Sequence, residues 1–384
     1  MRLIIFLSVF LGVYGGLHLY GFIKIRRALV LSPGITTALA LCMVCLIASP
    51  ILTRISERHG YELLARVLAY VGFTWMSLIF LFVSCAVVLD VYGLLVHVAG
   101  RVFNADLSGM TLLPRHAFII SFMVSVISTG YGAFAAVRIG TEHVVVETRK
   151  VPETVDRIRI AQISDVHLGI MVGEKRLRRI LDQVKQANPD VLVSTGDLVD
   201  GQTDNLSKLE EMFRDIHTKH GKFAVTGNHE FYAGLPRALA FFEHSGFVVL
   251  RGEGVTVSDM LNIAGVDDPA ANRYEVTAEV SEKALLEKLP QEKFTLLLKH
   301  RPVIDEGASG LFDLQLSGHT HKGQIFPFNF LTMLFYPIRS GLHELDKNGR
   351  IYVSRGTGTW GPPVRFLSPP EVTVIDLVYK KEET

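Results

Sequence analysis

Cysteine is nearly absent from this chain. Three occur in 384 residues, Cys42, Cys45 and Cys85, and all three fall inside long apolar stretches. None follows Val137, so the rest of the chain can hold neither a disulfide nor a thiolate metal site. The spacing of Cys42 and Cys45 is that of half a metal knuckle, but no second ligand pair accompanies it, and apolar packing accounts for it. A charge of one sign is missing as well. Lys and Arg number 39 against 38 Asp and Glu, a net charge of +1. No global field and no basic, aromatic-interleaved stripe exists to hold a phosphate backbone, which argues against a nucleic-acid partner and against a nuclease. Internal repeats and low-complexity runs are lacking too.

Apolar length at the N-terminus is abundant. A 49% hydrophobic content and a mean hydropathy of +0.31 are high for a soluble protein, and the excess sits in the first 140 residues. Four uncharged stretches occupy Leu3–Ile23, Ala28–Thr53, Val67–Leu89 and His116–Val137. Each can cover a hydrocarbon core of ~30 Å, which takes about 20 residues. The first alone could be a signal peptide, but it lacks a clear small-residue cleavage site and three more such stretches follow. The sequence therefore predicts four membrane helices, the third continuing past Asp90 towards His97. An even number of spans puts the N-terminus and the C-terminal region on one side. Arg2, Arg54, Arg58, Arg66 and Arg138 lie on that side, and Lys24, Arg26, Arg27, Arg101 and Arg115 on the other. Arg149 and Lys150 tip the count towards a cytoplasmic C-terminal domain in a multi-pass protein of the cell inner membrane. The expected organisation is a transmembrane region over 1–140, a connector with one strand over 141–155, and a second domain over 156–384.

That second domain alternates strand and helix. "IRIAQISD", "VLVSTGD", "KFAVTGNHE", "FTLLLKH" and "LQLSGHTH" are each a short apolar run followed at once by a polar, ligand-type residue. "EKRLRRILDQVKQ" between the first two has Leu177, Ile180, Leu181 and Val184 at helical spacing, and "NPD" stops it. In open α/β sheets, ligands gather beyond the carboxyl ends of the strands. The residues delivered there are Asp165, His167, Asp197, Asn228, His229, His300, His319 and His321. His319 and His321 stand at i and i+2, which in an extended segment share a face. Carboxylate, imidazole and amide without sulfur suit borderline-hard divalent ions, namely Mn, Fe, Zn or Co. The set is larger than one ion takes. It can furnish two divalent metal ions with one acid shared between them, an arrangement suited to displacement at phosphorus.

The blocks "SDVHLG", "TGDLVDG", "TGNHEFY", "LKHRP" and "SGHTHKGQ" resemble, in order, those of the calcineurin-like metallophosphoesterase superfamily, over roughly Val155 to Val378. The ending "YVSRGTGTWGPPVRFLSPPEVTVI" is similar to that of its membrane-associated bacterial branch. The resemblance implies an α/β fold, a four-layer αββα metallophosphoesterase sandwich, here preceded by a bundle of four transmembrane helices. It implies hydrolysis of a phosphate ester, phosphodiester or pyrophosphate, with lipid-linked phosphates among the candidate substrates. It further implies that Asp165, His167 and His321 hold one metal, that Asn228, His300 and His319 hold the other, and that Asp197 bridges them. A hydroxide between the ions would attack phosphorus, and His229 would stabilise or protonate the departing oxygen.

Other features carry less. Asp200 reads as a loop-orienting acid, Glu230 as a support for the His229 loop, and "GVDDP" at Gly265–Pro269 as a turn. His217, His220, His244 and His343 stand alone. Lys322 occupies a position where the branch usually has glycine, and it either meets substrate phosphate or faces water. The aromatic run Ile325–Ile338 is open to two readings, a segment dipping into a bilayer interface or one packed on the protein. The basic run at Glu174–Arg179 reads as the solvated face of a helix. A second class of function, a transporter or sensor with a regulatory metal-binding domain, would need ionisable groups inside the spans. Only His18, with Asp90 and His97 towards an end of the third, fits that need.

Overall fold

The computed structural model describes residues 2–201, 206–273 and 280–381. Two compact units result, Met1–Phe134 with Gly361–Val364, and Ala135–Trp360 with Arg365–Thr384.

The first unit is built from helices α1 (Arg2–Ala28), α2 (Pro33–Arg58), α3 (Glu62–Val102) and α4 (Pro114–Ala136). Each is long and apolar enough to cross a membrane. Helix α2 starts where Ser32 Oγ accepts from the Ile35 N–H at 3.4 Å, with Pro33 in the first turn, where a missing N–H costs nothing. Helix α3 runs 41 residues, past both Asp90 and His97. Large apolar side chains stay uncovered along these helices, Val88, Leu95 and Ile127 each more than 60% exposed, a surface suited to lipid rather than water. The polar groups within are engaged. His18 Nδ1 lies 2.8 Å from the Tyr14 carbonyl, and its Nε2 accepts from the Trp75 indole at 2.8 Å. Asp90 accepts from the Tyr20 hydroxyl at 2.6 Å and is paired with Lys24.

The second unit contains, among the described residues, strands β1 (Gly140–Thr148), β2 (Ile158–Ile163), β3 (Val191–Ser194), β4 (Lys222–Ala224), β5 (Val248–Val249), β6 (Glu253–Val257), β7 (Leu261–Gly265), β8 (Phe294–Leu298), β9 (Leu314–Ser317), β10 (Gly341–Glu344), β11 (Arg350–Val353) and β12 (Glu371–Tyr379). They form two six-stranded mixed sheets, ordered β1-β12-β2-β3-β4-β5 and β10-β11-β9-β8-β7-β6. Strand β1 lies within the segment that the sequence presents as a connector, and it pairs in parallel with β12 from Gly140–Glu371 to Thr148–Tyr379.

The two-residue period of the strands sorts their side chains into layers. Ile158 and Ile160 of β2, Val191 and Val193 of β3, Leu296 and Leu298 of β8, and Leu314 and Leu316 of β9 meet in one buried cluster between the sheets. The opposite face of the first sheet is covered by α5 (Glu174–Ala187), α6 (Ser207–Arg214) and α8 (Leu235–His244), through Leu177, Ile180, Phe213, Phe241 and Phe242. Leu297, on the opposite face of the second sheet, packs with Leu285 and Leu286 of α9 (Glu282–Leu286). Helices, sheet, sheet and helix make the expected four layers. Two short helices complete the order, α7 (Asn228–Ala233) at the end of β4 and α10 (Phe328–Phe335) after β9.

Candidate metal centre

In the first sheet β2, β3 and β4 run parallel to one another, as β8 and β9 do in the second, so within each sheet the carboxyl ends face one way, and the segments after them converge on common clusters. The loops, with the first turn of α7, carry all eight residues singled out in the sequence. Seven of them are buried, and His319 is partly so. Five hold backbone conformations that side-chain-bearing residues avoid: φ is 53° at Asp165, 54° at His167, 52° at Asp197, 69° at His319 and 47° at His321. Such strain costs roughly 1–3 kcal/mol per residue and persists where surrounding structure enforces it, characteristically at functional sites. The two histidines of "HTH" therefore do not lie on an extended segment. Their left-handed backbones turn the rings apart, and each joins a different cluster.

The first cluster is Asp165, His167 and His321, and the second is Asp197, His300 and His319. His167, Asp197 and His229 form a third that joins them. His167 Nε2 stands 3.2 Å from His321 Nε2, which is 3.4 Å from an oxygen of Asp165. His300 Nε2 is 3.2 Å from both Asp197 Oδ2 and His319 Nδ1. Asp197 Oδ2 is also 3.8 Å from His167 Nε2. Imidazole nitrogens aimed at one another across a carboxylate are a poor hydrogen-bonding scheme and a good donor set. Asn228 Oδ1 is buried there with no hydrogen-bond partner, as an amide oxygen kept for a cation would be. The residues present thus fit divalent ions.

Electrostatics agree. Burial, followed by the charge of His229, pushes the His167 pKa down to about 4. Burial and His300 push His319 down to about 3, and burial with the Arg365 charge holds His321 well below the usual histidine range. All three offer free lone pairs at neutral pH. Burial also opposes charge on His300 and His229, but Asp197 outweighs it, raising His300 to about 10 and, with Asp200, His229 to about 9. Burial likewise disfavours the Asp197 carboxylate, yet His300 and His229 hold its pKa well below the ordinary value. Two protonated imidazoles thereby stand against the one acid that the clusters share.

Supporting contacts fix these groups. Gly318 permits a close approach, because a Cβ there would overlap Ser164 Oγ and Asp165 Oδ2. Both oxygens of Glu230 are saturated by backbone N–H groups, from Asp197 at 3.0 Å, Leu198 at 2.8 Å, Val199 at 3.1 Å and Gly227 at 2.7 Å. One buried side chain thus ties the Asp197 loop to the Asn228–His229 turn. His300 Nδ1 lies 2.8 Å from the Thr195 carbonyl, which aims its Nε2 at Asp197. Asp200 does more than orient a loop: its Oδ1 is 3.0 Å from His229 Nδ1.

Several contributors had no usable signal in the sequence. Arg365 is wholly buried and donates to His321 Nδ1 at 2.9 Å and to the carbonyls of His321 and Arg355. Nothing in a proline-rich stretch marks one arginine as the support of a histidine 44 residues earlier. The "GVDDP" acids are more than a turn. Asp267 pairs with Arg251, and Asp268 with Arg301, beside His300. Tyr232, Trp360 and Tyr336 flank the imidazoles, with ring centroids 5.4 and 6.1 Å from His229 and 5.1 Å from His319 respectively. By contrast, His244 and His343 are exposed and bonded elsewhere.

The family model for calcineurin-like phosphoesterases matches residues 158–323. An uncharacterised metallophosphoesterase of Aquifex aeolicus is 40% identical over 256 residues, 66% of this chain and 97% of that one. A transmembrane protein with a metallophosphoesterase domain from Bos taurus is 32% identical over 303 residues, 74% of this chain and 67% of that one. An uncharacterised metallophosphoesterase of Helicobacter pylori is 35% identical over 227 residues, 59% of this chain and 61% of that one. With its five loops, its donor clusters and these relatives, the chain belongs to the calcineurin-like phosphoesterase family. It is a metal-dependent phosphoric ester hydrolase that also carries four helices able to span a membrane.

Proposed function

We propose that the chain is a membrane-anchored, dinuclear-metal phosphoesterase acting on a phosphate ester, phosphodiester or pyrophosphate, with lipid-linked phosphates within its substrate range. Asp165, His167 and His321 hold one ion, and Asn228, His300 and His319 the other. Asp197 serves both. The ions are Mn, Fe, Zn or Co, to which carboxylate, imidazole and amide donors are matched. One observation carries this reading: Asp197 belongs with His300 and His319 on one side and with His167 on the other.

Divalent ions bound there supply Lewis acidity and make water nucleophilic at neutral pH. The chain's own residues do the rest. Asp200 accepts the Nδ1–H of His229 and so fixes the ring with Nε2 available to substrate. With its pKa raised, His229 enters the reaction carrying a proton, which it gives to the departing oxygen. Burial of the loop carboxylates and imidazoles keeps bulk water from loosening their geometry. The four helices of 1–140 anchor the hydrolase of 156–384 to the cell inner membrane, on its cytoplasmic side. The engaged state of His18 and Asp90 supports anchoring over transport.

The test is Asp197→Ala in the full chain. Metal analysis should show both ions reduced, and turnover of bis-p-nitrophenyl phosphate should fall to background. Wild-type turnover by this variant would overturn the mechanism.

A further inference from the structure

Helix α10 is unlike every other helix of the second unit. It reads "FNFLTMLF", and none of its residues is buried. Phe328, Phe330, Leu331, Met333, Leu334 and Phe335 are all exposed, Leu334 at 75% and Phe335 at 73%. Helices that cover a sheet expose one polar face, as α5 does with its row of Lys and Arg. Helix α10 exposes apolar side chains over most of its circumference, and only Asn329, which abuts Gly323, and Thr332 are polar and partly covered. Just before it, Phe326 is exposed as well. Water is a poor solvent for such a patch, and monomeric proteins keep one only where something covers it.

We propose that α10 is an interfacial helix, seated in the headgroup–acyl boundary of a phospholipid bilayer. Three observations select lipid over another protein surface. The chain carries four helices long and apolar enough to span a membrane, so a bilayer is present at high local concentration. The six exposed side chains are Phe, Leu and Met spread over a broad arc, with only Asn329 and Thr332 between them, wider than the narrow stripe a complementary groove reads. The segment is flanked in sequence by Lys322 and Arg339, both partly exposed, and cations beside an apolar segment suit lipid phosphates. The same segment is continuous with the metal centre. His321 precedes α10, and Tyr336, directly after it, packs edge-on against His319 at 5.1 Å. A helix seated in this way opens the catalytic loops onto the membrane surface.

The experiment uses the full chain in nanodiscs of phosphatidylcholine and phosphatidylglycerol, with Leu334→Trp as the probe and the unsubstituted protein as the blank for Trp75 and Trp360. The emission of the new tryptophan should shift to the blue. It should also fall at least about twofold when the lipid carries bromine near the headgroup end of its acyl chains, the depth of ~5–10 Å at which interfacial helices lie. Water-exposed emission, quenched by iodide and not by bromolipid, overturns the proposal. Blue-shifted emission quenched by neither reports cover by protein, a second copy or another partner, and overturns it too. Turnover of bis-p-nitrophenyl phosphate, followed in the same nanodiscs, reports on the metal centre separately, so failure of one reading does not pass for failure of the other.

Discussion

At the scale of single residues, the site rests on side chains that other side chains hold in place. Asp200 is the clearest case. Its Oδ2 stands 3.7 Å from His167 Nδ1 at the margin of the first cluster, and its contact with His229 Nδ1 sets which imidazole nitrogen faces the substrate. His229→Ala should lower turnover about 10²–10⁴-fold, the usual worth of a positioned proton donor. Asp200→Asn should lower it less and move the alkaline limb of the pH–rate profile downward, since a carboxylate that raises the His229 pKa is gone. Metal content should remain in both variants, and losing it would reassign these residues to ion binding. Glu230 is a second case. Glu230→Gln puts an amide donor against backbone donors and orphans two N–H groups, at about 1–3 kcal/mol. Thermal unfolding of the variant measures that directly. The candidate ligand residues were legible in the sequence, because each follows a strand by two to four residues. Arg365 and the Asp200–His229 contact were not, because a hydrogen bond across tens of residues leaves no local pattern.

Among the elements, the strands did most to make the sequence readable. A buried strand is a short apolar run, and its carboxyl end is marked by the first polar residue, so five strand ends disclosed five ligand loops. Edge pairing is different. The parallel partnership of β1 with β12 joins segments more than 220 residues apart, and nothing in "HVVVET" names its partner. The run Ile325–Ile338 could be read for its aromatics but not for the helix within it, since eight residues span too few turns to show a period. Loop geometry offers a test at this scale. Gly318 follows β9 and abuts Ser164 and Asp165 after β2, so the two sheets approach one another through it. Gly318→Ala must push the Asp165 loop away, at roughly 1–3 kcal/mol of overpacking. Metal analysis should show metal at the Asp165, His167 and His321 cluster depleted before metal at the Asp197, His300 and His319 cluster. Equal loss of both, or no loss, would show that the loops move as one body.

For the whole molecule, ions and protons compete for one set of imidazoles, which gives the metal-free protein a particular dependence on pH. His167 and His319 fold into places where protonation is disfavoured, with pKa values of about 4 and 3 against an ordinary 6.5. Their folded forms lose stability as pH falls below 6.5, down to those values. His229 and His300 are shifted the other way, to about 9 and 10. Their contribution is complete below 6.5 and is lost as pH rises towards those values. Stability of the chelator-treated protein should therefore peak near the ordinary histidine pKa and decline on both sides. Added Mn or Zn should stabilise it by about 2.7 kcal/mol per site at a hundredfold excess over Kd. At a fixed metal concentration that gain should grow from pH ~6 to pH ~8, because an ion at the Asp197, His300 and His319 cluster must displace the proton of His300. Differential scanning calorimetry in detergent across this range, with and without metal, measures all three trends. A metal-induced shift in the unfolding midpoint that is the same at every pH would mean that the imidazoles are not the groups the ions bind.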